Sequence, residues 1–331
     1  MVGLALLGAG RIAAVHARSM QETGARLVSV FDPVTAVAED LVKRYGAEVA
    51  DTAEAAIGHR EVQGVVVASS TDTHVDLILA GARAGRAVLC EKPIDLDIAR
   101  ARQCQAALAG LDVPVQIGFN RRFDPTHAAL AAALRQDEIG RLENLLIVSR
   151  DPAPPPKDYM LRSGGLFRDM TIHDFDMARF LLGEEPVEVS AAASALFDET
   201  AAELGDIDSA SVQLKTASGV LCQIVNSRRA VYGYDQRIEA FGAKGVLQSE
   251  NLRPTALRRS GAESTDAKAP LLHFFLERYA ESYRHEMTAF LACITDHAPP
   301  PVTVDDGVRA LALAEAAAEA VREKTVVTLE P

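Results

Sequence analysis

The chain has 331 residues, 48% of them hydrophobic, enough to bury the cores of two domains. Its 46 acidic and 34 basic side chains give a formal charge of -12, which excludes a basic nucleic-acid footprint or an anionic-membrane surface and points to small molecules or protein partners. No apolar run approaches the ~20 residues that span a bilayer, and the opening MVGLALLGAGR has neither a basic n-region nor a cleavage site, so a cytoplasmic protein with no membrane partner is expected.

The chain begins with five short apolar runs, VGLALLG (2 to 8), RLVSVF (26 to 31), GVVVAS (64 to 69), RAVLCE (86 to 91) and PVQIGF (114 to 119), separated by Ala-rich amphipathic stretches. Apolar strands alternating with helices predict a doubly wound parallel sheet covered on both faces. The first run passes into GAGRIA, with Gly8, Gly10 and Ala13 in the spacing of a dinucleotide fingerprint. Gly8 permits the tight turn, Gly10 lets amides approach a pyrophosphate, and Ala13 keeps the helix close to the sheet, with Arg11 and Ile12 opening that helix. The second run ends at Asp32, where a carboxylate binds ribose hydroxyls and repels a 2′-phosphate, so NAD is favoured over NADP. Arg11 is either a phosphate contact or a solvated helix-start residue.

The third run leads into Ser69, Ser70, Thr71 and His74, on the carboxyl edge of the sheet where ligands bind. A helix cap in which Thr71 or Asp72 satisfies free amides accounts for the same residues. The fourth run ends in Glu91, Lys92 and Pro93, which aims a lysine into the cofactor crevice with a restricted backbone. Asn120 and Arg121, after the last run, are candidates for nicotinamide or substrate contacts, and Arg122 for an ion pair within the protein.

The rhythm changes after residue 140, beyond which RLENLLIVSR, SASVQLKTASGVLCQIVNSRRA and YDQRIEAFGAKGVLQSEN read as hairpins of a largely antiparallel sheet. The proline-rich DPAPPPKD at 151 to 158 is a stiff connector. In GGLFRDMTIHDFD, Asp169 and His173 are four residues apart and share a helix face, while Asp174 looks elsewhere. That stripe, extended by Asp176, suits a metal, a proton relay or a solvated acidic helix; no metal site is assigned. Tyr234, Tyr279 and Tyr283 are polar handles for a substrate or, for the last two with Phe275, an aromatic packing stripe, and Arg228 and Arg229 are candidate interface residues. Two helices, 272 to 296 and 305 to 323, close the chain, the second opening on Asp305 and Asp306. The widely spaced Cys90, Cys104, Cys222 and Cys293 predict free thiols.

GAGRIA, EKP at 91 to 93, GFNRRFD at 118 to 124 and SGGLFRDMTIHDFDMARFLLG at 163 to 183 together resemble the Gfo/Idh/MocA family, nearest to its inositol 2-dehydrogenases. The resemblance covers nearly the whole chain. It implies an α/β architecture: a Rossmann domain over 1–120 and, over 121–331, an α+β domain whose open-faced sheet holds substrate and makes a homo-oligomer, dimer or tetramer. A return of the C-terminal helix toward the first domain is compatible with this. It also implies that Lys92, Asp169 and His173 meet around one hydroxyl of a polyol or sugar, with Asn120, Arg121, Tyr234 and Tyr279 as further substrate contacts. Gly8, Gly10, Arg11, Ile12, Asp32, Ser69, Ser70, Thr71, His74, Glu91, Lys92 and Asn120 form the expected cofactor set. The activities considered are a cyclitol dehydrogenase, a sugar dehydrogenase, and an NAD-sensing regulatory protein, which would be expected to have lost EKP or the D-x-x-x-H spacing.

Overall fold

The computed structural model describes residues 1–330. It divides into two compact units: Met1–Asp124 with Glu281–Ala312, and Pro125–Ala280 with Leu313 onward. The chain thus leaves the first unit at Asp124, and Glu281–Ala312 belongs to that unit again.

The first unit contains six strands: β1 (Gly3–Leu7), β2 (Arg26–Phe31), β3 (Glu48–Val49), β4 (Gly64–Val67), β5 (Ala87–Glu91) and β6 (Val115–Gly118). All are parallel, in the order β3-β2-β1-β4-β5-β6 of a doubly wound sheet. Every residue of β1, β4 and β5 is buried, which is why these strands read as unbroken apolar runs. The edge strand β3 was not among the five predicted runs, since two residues, one charged, carry no periodic signal. Leu4, Leu6, Val66 and Leu89 pack in one core with Met287 and Phe290. Those two come from a helix at Ala280–Thr295 that the predicted 272 to 296 helix had joined to Phe275–Arg278. The break is at Tyr279 (φ -111°, ψ 16°), so the aromatic stripe is divided: Tyr279 packs in the second unit and Tyr283 in the first.

The second unit carries β7 (Leu142–Arg150), β8 (Pro186–Ser194), β9 (Ser209–Thr216), β10 (Leu221–Ser227), β11 (Asp235–Gly242) and β12 (Gly245–Gln248), ordered β12-β11-β7-β10-β9-β8 with Val327–Thr328 at the edge. The pairs are antiparallel except β7 with β10. Burial alternates along β9 and β10, so one face is dry. Val212, Leu214, Ile224 and Ile238 from that face cluster with Phe175 and Met177 of helix Ile172–Leu182, and with Leu313 and Ala317. Each of these Val, Leu, Ile, Phe and Met side chains, fully buried, contributes about 1.5–3 kcal/mol. The opposite face shows exposed Ser211, Gln213, Gln223, Arg237 and Phe241.

Candidate active site

In the first unit, β1 is followed by Gly8, whose φ of +96° and whose 2.5 Å approach to the Ala68 oxygen from a would-be Cβ admit only glycine. Gly10 caps the helix Arg11–Glu22, and a Cβ there would meet nothing within 4 Å. Space beside Gly10, at a helix start that no side chain caps, fits a pyrophosphate approaching the first-turn amides. Arg11 is exposed and Ile12 half-buried on the same first turn. Asp32 follows β2 and accepts bonds from the Ala9 and Val34 amides, both at 2.8 Å, which fix its carboxylate at the strand end while lone pairs remain for another donor.

Beyond β4, no side chain caps the helix start, neither Thr71 nor Asp72 nor the N-cap residue Thr73, whose hydroxyl instead donates to the Ser70 carbonyl at 2.7 Å and pairs with the Ser69 hydroxyl at 2.6 Å. Ser69, Ser70 and Thr71 border this turn, with Ser70 exposed. His74 is buried and braces two loops, with Nδ1 2.7 Å from the Pro93 carbonyl and Nε2 3.2 Å from that of Ser69. Burial holds this imidazole below its ordinary pKa against the pull of the two carbonyls.

Lys92, half-buried, directly follows β5, and its peptide bond to Pro93 is cis. Its amide donates to Glu91 Oε2 at 3.3 Å, and Glu91 Oε1 lies 2.8 Å from Nε2 of His16, a residue that sequence reading missed because it stands 75 positions away. Tyr283 packs edge-on against His16. Glu286 is also in this unit, fully buried, and neither carboxyl oxygen has a hydrogen-bond partner among the described residues. Burial, and then the charge of Glu91, pushes its pKa well up.

Asn120 begins a short turn after β6; its carbonyl accepts from Ser282, and its buried Nδ2 has no partner among the described residues, a donor suited to a ligand carbonyl or hydroxyl. Arg121 is buried beside it. Arg122 does pair within the protein, with Asp306 at 2.9 Å. Thr303 and Asp306 cap the helix Val304–Glu323 reciprocally, so the predicted acidic start holds, with Thr303 as an added cap.

The second unit carries Asp169 and His173, and here the predicted geometry needs correction. Phe167–Thr171 winds as a π-helix before the α-helix Ile172–Leu182 begins, so the two residues are joined by a wider turn than an uninterrupted α-helical face provides. Both are half-buried, whereas Met170 to Ile172 between them and Asp174 to Arg179 after them are buried. Asp176 is interior, and no cluster of three or more metal-ligating side chains occurs among the described residues. Asp174 accepts 2.8 Å from Asn226 Nδ2, while Asn226 Oδ1 accepts 2.7 Å from Thr171, tying the helix start to β10.

Asp169 Oδ1 accepts from the Tyr159 hydroxyl at 2.7 Å, and Oδ2 lies 3.4 Å from Arg228. Arg228 is fully buried within this unit, unlike the exposed Arg229, which lies over the Phe197 ring at 3.9 Å. Tyr234 and Tyr279 are buried edge-to-face at 5.9 Å, and the His127 ring lies tilted 6.5 Å from that of Tyr279. All four cysteines are buried free thiols, and burial raises that of Cys104 to about 11. No helix among the described residues is long and apolar enough to cross a membrane.

Two family models match, the NAD-binding Rossmann fold over residues 2–119 and the C-terminal alpha/beta domain over residues 131–329. An inositol 2-dehydrogenase of Rhizobium meliloti (strain 1021) is 49% identical over 99% of both chains. A myo-inositol 2-dehydrogenase of Thermotoga maritima is 43% identical over 99% of this chain and 98% of its own. The solved structure of a myo-inositol dehydrogenase from Corynebacterium glutamicum superposes with a TM-score of 0.96 at 46% identity, over 100% of this chain and 99% of that one. The chain belongs to the Gfo/Idh/MocA oxidoreductase family, as an inositol 2-dehydrogenase-like, NAD-dependent enzyme acting on CH-OH groups.

Proposed function

We propose that this enzyme oxidises a secondary ring hydroxyl of a cyclitol, of the myo-inositol type, to the ketone. The observation that carries the reading is the pair Asp169 and His173, half-buried on either side of the buried Met170 to Ile172, in a chain that also has Lys92 at a sheet edge built for NAD. Bound NAD supplies the hydride acceptor. His173 takes the hydroxyl proton, since an imidazole ordinarily titrates near neutral pH. Lys92 stabilises the alkoxide character that develops on the same oxygen. Asp169 accepts from a neighbouring hydroxyl and orients the ring, with Asn120 and Arg121 as further polyol contacts.

Gly8, Gly10, Arg11, Ile12, Ser69, Ser70, Thr71 and Asn120 border the cofactor, and Asp32 selects NAD over NADP by opposing a 2′-phosphate. His74 and Glu91 act on the cofactor edge through the backbone they brace. Tyr234 and Tyr279 support the substrate region by packing. The sheet face bearing Phe241 is the surface for a dimer or tetramer.

The test is the initial rate of NADH formation with myo-inositol, scyllo-inositol and glucose, in parallel with NADP, and with Lys92→Ala as control. Turnover of an inositol with NAD, lost in the control, is expected. Faster turnover of glucose than of either inositol would replace the cyclitol reading with a sugar dehydrogenase. NAD binding without turnover of any of them would count against both.

A further inference from the structure

Arg228, just after β10, has no solvent exposure, an expensive position for a guanidinium unless anions meet it. Two do: Nη1 is 3.4 Å from Asp169 Oδ2, and Nη2 is 3.7 Å from Asp206 Oδ2. Asp206 Oδ1 in turn accepts the Leu166 amide at 3.0 Å. The same oxygen stands 2.9 Å from where a Cβ on Gly165 would lie, at a φ of +82°. One arginine therefore joins the carboxylate proposed to face substrate to the glycine turn that precedes it.

The base of this arginine is also fixed. Its amide donates to the Asp208 carbonyl at 2.8 Å, and one oxygen of the Asp208 carboxylate gathers the amides of Leu196, Phe197 and Asp198 at 2.8 to 2.9 Å. Asp169 is held from its other side by the Tyr159 hydroxyl. A planar fork can serve two carboxylates from one buried position, which the point charge of a lysine does poorly.

We infer that Arg228 is a positioning residue for the reaction, setting the direction of the Asp169 carboxylate and coupling it through Asp206 to the Gly164–Gly165 turn. The inference rests on the proposed role of Asp169 at the substrate. It assigns Arg228 an internal function in place of the interface role that its sequence position suggests.

The experiment is a double-mutant cycle of Arg228→Met with Asp169→Asn, read as kcat and KM for myo-inositol, with the NAD Kd of each form. Arg228→Met lowers kcat/KM about 100-fold with NAD affinity unchanged, because misplacing a substrate contact by about 1 Å costs that much. In the Asp169→Asn background the same substitution costs less than about threefold, since the carboxylate it positions is gone. Arg228→Lys recovers only part of the loss. An equal fold-loss in both backgrounds, full activity in Arg228→Met, or full recovery by lysine would overturn the inference.

Thermal unfolding of the same four proteins separates this inference from the parent reading. If the wild type turns over no inositol, the cyclitol function fails, yet non-additive Tm shifts still support the Arg228 to Asp169 coupling and additive shifts refute it. Should Arg228→Met fail to fold, Arg228→Lys against Asp169→Asn supplies the cycle on the same criteria.

Discussion

Around the glycine turn and the strand ends of the first unit, side chains hold backbone: Asp32 binds two amides, His74 two carbonyls, and Glu91 the Lys92 amide. Around Asp169 and the helix start of the second, side chains hold other side chains: Tyr159 and Arg228 bind Asp169, and Asn226 binds both Asp174 and Thr171. A phosphate-bearing cofactor is met largely by amides at a helix start, for which loop shape is decisive. A polyol hydroxyl that must lose a proton needs an ionisable group aimed at one atom, which requires support from neighbouring side chains. Substitutions in the two regions should therefore fail differently.

The largest separation is expected from His173→Ala, which lowers kcat for inositol oxidation by about 10³-fold while the NAD Kd, followed by fluorescence titration, stays within about twofold. The reverse pattern follows from Gly8→Val. A side chain there collides with the Ala68 carbonyl and strains the backbone, so NAD affinity falls at least about tenfold and stability falls by about 1–3 kcal/mol in urea melts. Loss of NAD binding in His173→Ala, or unchanged NAD binding in Gly8→Val, would erase the distinction between the regions.

Two carboxyls of the first unit, the half-buried Asp306 and the buried Glu286, sharpen the picture through opposite pH dependences. Burial pulls the Asp306 pKa up, but the Arg122 guanidinium and the bonds from Thr303 pull it further down, to about 2. Its stabilisation is full above the ordinary value of 3.8 and disappears as pH falls toward about 2. Asp306→Asn should therefore cost about 2 kcal/mol at neutral pH, and the difference from wild type should close in acid, as read from urea midpoints across pH.

Glu286 behaves in the other sense. Its raised pKa means that the folded state is favoured most below the ordinary value of 4.5 and loses stability as pH rises above it. Glu286→Gln, which cannot ionise, should raise Tm by roughly 2–4 °C at pH 8 and change it little at pH 4, a smaller effect than the preceding three. A destabilised Gln variant at pH 8 would mean that the carboxyl is needed as an acid.

The legibility of these features follows the distance over which their causes act. Gly8, Gly10 and Asp32 announce themselves because a turn and a strand end are local and demand particular residue types. The doubly wound sheet is equally readable, since burial on both faces imposes continuous apolar runs. The π-turn at Phe167–Thr171 leaves no such trace, because apolar periodicity does not distinguish one widened turn from an α-helix. The break at Tyr279 was hidden by apolar residues on both sides that serve different units. His16, and the internal pairing of Arg228 that replaces its expected interface role, escaped sequence reading for a third reason: their partners lie 75 and 59 positions away, so only the folded sheets bring them together. Tyr159, just ten residues from Asp169, was obscured by the proline-rich stretch before it, which reads as a connector.

The most direct test of the central claim is to supply NAD and myo-inositol deuterated at its ring carbons, then measure the mass of the nicotinamide in the NADH formed. Oxidation of a ring carbinol by hydride transfer predicts one deuterium in the reduced nicotinamide together with a ketone product. NADH formed without deuterium, or no NADH with any inositol offered, would contradict it.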